Sequence, residues 1–160
     1  MSQVVIQILL LLLIIIGVSV YADRYFRIRA KKKDDRELWK KNAANVNKQL
    51  EEAFQKKKED DYKGFLHQKI SRYQPRLPHL IEGVNEVMKW VKNDMETPSG
   101  PTSVVRTVSE LYDQAVVLTY HYMTQTKVGD KYTEGAGKVT RIWVYGKDGW
   151  KLVHEHTSSG

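Results

Sequence analysis

Cysteine is missing from all 160 residues. That excludes disulfides and thiolate metal sites, and it fits a reducing compartment. Charge is missing from residues 1–22. Internal repeats and low-complexity segments are missing as well, which leaves one ordinary small domain as the natural reading of the length. Proline and glycine are both absent from residues 23–58. Nothing there stops a helix that begins earlier from running on.

What is present begins with an apolar run, VVIQILLLLLIIIGVSVYA, from Val4 to Ala22. A helix of about 20 apolar residues crosses the ~30 Å hydrocarbon core of a bilayer with its backbone hydrogen bonds closed internally. Gln7 is tolerable in such a span and suits a contact with a neighbouring helix. Val20-Tyr21-Ala22 looks like a cleavage site for a signal peptide. Three features oppose that reading. Met1-Ser2-Gln3 carries no Lys or Arg, the run exceeds a usual signal core, and a dense basic stretch follows at once. The expectation is a retained transmembrane anchor over residues 1–22.

Residues 23–41 hold nine basic and four acidic residues, +5 of the chain's formal +7. The basicity is therefore juxtamembrane. Arg24, Arg27, Arg29, Lys31, Lys32 and Lys33 are expected at the membrane surface, each adding up to about 1 kcal/mol of attraction to anionic headgroups. The positive-inside rule puts the C-terminal part in a bacterial cytoplasm or a mitochondrial matrix. The position of this stretch accounts for it without nucleic acid. The expected organisation is an anchor (1–22), a basic segment (23–37) and one domain (38–160).

Within that domain, Trp39, Ala43, Val46, Leu50 and Phe54 step by three or four, an amphipathic helix. Asp60 or Asp61 is expected to cap a second helix with Tyr62, Phe65, Leu66 and Ile70 inward. A third helix after Gly83 turns Val84, Val87, Met88 and Val91 inward. Beyond a Thr97–Pro101 loop the period becomes two, which predicts strands over 103–112, 115–127, 138–145 and 150–157. Asp113-Gln114 and Lys147-Asp148-Gly149 are expected to be tight turns, and 128–137 a longer hairpin loop. Helices first and an antiparallel meander last make an α+β cone, the sheet curling around the helices.

Several segments then resemble the NTF2-like superfamily. The nearest likeness is to the association (hub) domain of calcium/calmodulin-dependent protein kinases. They are Arg72-Tyr73-Gln74-Pro75, Leu80-Ile81-Glu82-Gly83-Val84, Leu118-Thr119-Tyr120-His121-Tyr122-Met123-Thr124-Gln125, Thr140-Arg141-Ile142-Trp143 with Asp148-Gly149-Trp150, and Val153-His154-Glu155-His156 with the final Ser159-Gly160. The likeness spans roughly Leu38–Gly160 and implies the hub fold, assembly through the sheet, and basic side chains in the pocket. Arg141 matches one of these. Tyr122 stands where that family carries Arg.

The candidate pocket residues are Arg141, Tyr120, Tyr122, Glu155 and His154. Alternation puts Val139, Arg141, Trp143 and Tyr145 on one strand face. An inward Arg needs a carboxylate or a ligand anion, and Glu155 on the next strand is in reach. His154 and His156 share a face, which reads as a hydrogen-bonded pair rather than a metal site. Isomerase chemistry in such a fold needs a carboxylate base. Asp60, Asp61 and Asp113 read as cap and turn residues, so no catalytic residue, cofactor or metal is expected. The expected function is a non-catalytic interaction module, an accessory subunit of a larger inner-membrane complex such as a respiratory assembly. Its partners would be other subunits or itself. The alternative is a tethered small-ligand-binding protein or an isomerase-like enzyme.

Overall fold

The computed structural model describes the backbone of residues 3–75, 77, 79–97, 102–128 and 131–159. Side chains are described for those residues other than 3–20, 102, 105, 106, 125–128, 131 and 132. The chain divides into two units, Met1–Leu38 and Trp39–Gly160.

The first helix, α1 (Gln3–Gln55), runs through the segment that lacks Pro and Gly and spans the boundary between the units. In the first unit the expected anchor lies, except for its last two residues, outside the described side chains. Among the described residues no helix is long and apolar enough to cross a membrane. Arg24, Arg27, Arg29, Lys31, Lys32 and Lys33 are all exposed, and Arg27 pairs with Asp23 one turn back at 2.9 Å.

In the second unit the remainder of α1 uses the expected stripe. Ala43 and Leu50 are fully buried, with Val46 and Phe54 packed beside them. The chain then turns through Lys57, whose φ is +53°, into α2 (Glu59–Gly64). Asp60 and Asp61 do not cap this helix. They lie inside its first turn, where acidic groups favour the positive end of the helix dipole. The expected continuation of α2 through Ile70 is also replaced. Residues Leu66–Tyr73 form strand β1. Leu66 and Ile70 are both buried, and a spacing of four lands on one face in a helix and in a strand alike. That ambiguity misled the periodicity.

After β1 come β2 (Ile81–Glu82) and α3 (Val84–Glu96), which buries Val84, Val87, Met88, Val91 and Met95. Gly83 joins them at φ +85°, a conformation that a side chain disfavours. Its amide donates to the Ile70 carbonyl at 2.7 Å, tying the helix start to β1. Four long strands follow, β3 (Thr102–Tyr112), β4 (Ala115–Val128), β5 (Lys131–Gly146) and β6 (Gly149–Ser159). The expected loop over 128–137 is mostly strand, because the β4–β5 ladder continues to Val128 opposite Lys131.

The six strands lie in the order β2-β1-β6-β5-β4-β3. The sheet is mixed rather than purely antiparallel, since β1 pairs parallel to β6. Its inner face carries Val116, Leu118, Trp143 and Leu152, which join the helix side chains in one core. At one end Trp39, Tyr145 and Trp150 meet mutually edge-on, each pair of ring centroids 5.4 Å apart. Such pairs add about 0.5–1.5 kcal/mol each beyond burial.

Candidate functional site

The inner-face alternation of β5 and β6 places Arg141 opposite Glu155. Arg141 Nε donates to Glu155 Oε2 at 2.6 Å. Arg141 Nη1 donates to Asn47 Oδ1 at 3.0 Å and also to Glu51 Oε1. The Tyr120 hydroxyl donates to the same Glu51 oxygen at 3.0 Å, and its ring lies 5.7 Å from the Arg141 guanidinium carbon. Asn47 and Glu51 are four residues apart on α1, so they share one side of it, next to the apolar stripe.

Arg72 enters from β1, opposite Glu155 across the parallel pair. Its Nε sits 2.9 Å from Glu155 Oε1, an ion pair whose angle is too bent for a hydrogen bond. Its Nη2 donates to Asp94 Oδ2 on α3 at 3.1 Å, while its Nη1 is buried with no hydrogen-bond partner among the described residues. Glu155 is thus clamped between two guanidiniums. Burial pushes its carboxyl up, but Arg141 and Arg72 outweigh that, and the group titrates below the usual range. Burial pushes Arg141 down, yet Glu51 and Glu155 outweigh it and hold the guanidinium firmly charged. Burial raises the Tyr62 and Tyr120 phenols well above their usual range.

Beside this network lies an open cavity of about 960 Å³, lined by α1, α2, α3 and the inner sheet face. Arg141, Tyr120, Tyr122 and Glu155 all line it. His154 does not. It faces the opposite side of the sheet, where its Nδ1 is 2.8 Å from Ser71 Oγ, because adjacent strand residues point to opposite faces. Its imidazole titrates below the usual histidine value through burial and the neighbouring His156.

Sequence reasoning missed Asn47, Glu51, Arg72 and Asp94. Asn47 and Glu51 had a signal, four-residue spacing directly after Val46 and Leu50. Arg72 was hidden by the misread strand, and Asp94 by its place on the polar side of a helix. Among the described residues no group of three metal-ligating side chains comes together.

Each of the three carboxylates is held by an arginine, Asp94 by Arg72 and both Glu51 and Glu155 by Arg141.

The SnoaL-like domain family matches residues 43–160. The hub of a calcium/calmodulin-dependent protein kinase II from S. rosetta is 23% identical, with a TM-score of 0.65 over 74% of this chain and 95% of that one. The association domain of the C. elegans kinase is 19% identical, with a TM-score of 0.67 over 78% of this chain and 98% of that one. A presumed dehydratase of the NTF2-like family from Streptomyces avermitilis is 14% identical, with a TM-score of 0.66 over the same shares of the two chains. At these identities the likenesses establish the fold and nothing finer. No curated protein matches the sequence.

Proposed function

The chain belongs to the SnoaL-like domain family, and from that premise we propose that it is a non-catalytic association module that pairs through the outer face of its sheet. The observation that carries this is the composition of that face. Register puts Val108, Tyr112, Val117, Met123, Ile142 and Val144 on the side turned away from the helices. Val108, Tyr112 and Met123 are exposed, and Val117, Ile142 and Val144 are only half-buried. Among the described residues no element of the chain covers them. Exposed apolar side chains of this kind mark an interaction surface, and a second copy of the same face is its simplest complement. The hub and association-domain neighbours favour the same reading.

The apolar run of residues 4–22 supports a membrane anchor, and the exposed basic residues after it support contact with anionic headgroups. With that anchor the domain stands on the cytoplasmic or matrix side as an accessory subunit of a membrane complex. Confinement to two dimensions raises its effective concentration near partners.

Light scattering on the full chain in mild detergent tests the assembly. The wild type is expected as an oligomer, and Ile142→Lys with Val117→Lys as a folded monomer. A wild type that runs as a lone monodisperse monomer overturns the proposal. Binding of a small ligand is a second reading, favoured by the cavity and by dehydratase-like and isomerase-like neighbours.

A further inference from the structure

A ligand entering the cavity would not meet free arginine charge. The Arg141 and Arg72 side chains are only 8% and 11% exposed and are held by carboxylates. The carboxylates are the accessible partners, Glu51 at 37% and Asp94 at 27%. Among the described lining residues, three carboxylates stand against two guanidiniums, an excess of one negative charge. Phe54, Tyr120 and Tyr122 supply apolar and aromatic wall, and the negative face of an aromatic ring attracts cations. Arg72 lines the cavity too, and its buried Nη1 has no hydrogen-bond partner among the described residues. It calls for an acceptor oxygen. The volume lies within the range usual for small-molecule sites.

We propose that the cavity binds a small organic cation, an ammonium carried on an apolar or aromatic body with a neutral oxygen nearby. The ammonium donates to Glu51 and Asp94, the body lies against the tyrosines, and the oxygen accepts from Arg72. An anion of the same shape would have to displace a carboxylate from an arginine. This site is independent of assembly through the outer face, and its failure would leave the oligomeric state untouched.

Three probes with one skeleton separate the cases: 2-amino-1-phenylethanol, 1-phenylethane-1,2-diol and mandelate. They share the ring and the benzylic hydroxyl and differ in the terminal group, which is an ammonium, a neutral hydroxyl or a carboxylate. Calorimetry on the full chain in mild detergent is expected to give the amine at least about tenfold tighter binding than the diol, the gain of one charge-assisted hydrogen bond, and no heat with mandelate. Asp94→Asn and Glu51→Gln are each expected to weaken the amine about tenfold and to spare the diol. Mandelate binding more tightly than the amine overturns the proposal, as does binding of none of the three at millimolar concentration. So does amine binding that both substitutions leave unchanged. The wild-type ranking decides even where a variant folds poorly.

Discussion

Glu155 is the residue on which the interior charge balance turns. Only 3% of its side chain is exposed, and it answers both Arg72 and Arg141. Glu155→Gln leaves two buried guanidiniums short of counter-charge, and removing one partner of a buried pair costs about 3–5 kcal/mol. Urea titration at neutral pH is expected to register that loss. The pH dependence has a definite sign. The folded-state value of Glu155 lies below its unfolded one, so its contribution is complete above the unfolded carboxylate pKa of about 4.3. It is lost as pH falls below that and through the folded value. The wild type is expected to lose stability across that acid window, and Glu155→Gln to show a shallower slope there. Gly137 is a second decisive position. It is buried, and a Cβ there would run into the Tyr122 ring and hydroxyl and the Ser158 carbonyl. Gly137→Ala is expected to cost about 1–3 kcal/mol, the usual range for overpacking. It should also turn Tyr122 away from its place on the cavity wall, which near-ultraviolet dichroism would detect.

Among the elements, α1 contributes both to the core and to the cavity. Its stripe buries Ala43 and Leu50, and the next positions along, Asn47 and Glu51, reach Arg141. One helix face therefore fixes the rotation of the other. Leu50→Ala is expected to destabilise by about 2–5 kcal/mol in thermal or urea melts. A loosened helix would also relax the Glu51 contact, so the variant is expected to weaken cavity binding although Leu50 does not line it. The short β1 plays the matching part on the far side. Its parallel pairing with β6 brings Arg72 to Glu155 on the inner face and Ser71 to His154 on the outer one.

For the domain as a whole, the two faces of one sheet differ in chemistry. The inner face holds the charge network and the cavity, and the outer face carries the apolar strip. Period-two alternation keeps them apart, so a substitution on one face is expected to leave the other undisturbed. Ile142→Lys should abolish pairing and keep the amine preference. Arg141, its neighbour in sequence, belongs to the other test.

The sequence by itself determined the elements whose signals are local. These are the α1 stripe, α3 after Gly83, the four C-terminal strands and the Arg141–Glu155 pair that their alternation implies. Motifs spread over Leu38–Gly160 pointed to the right fold. What the sequence left open depended on contacts between distant segments. Leu66 and Ile70 fit a helix or a strand equally, and only pairing with β6 made β1. Arg72, Asp94, Asn47 and Glu51 have no shared local pattern; tertiary packing alone brings them around one cavity. Whether Arg141 was free to meet an anion was likewise settled by packing, because Glu51 arrives from 90 residues away.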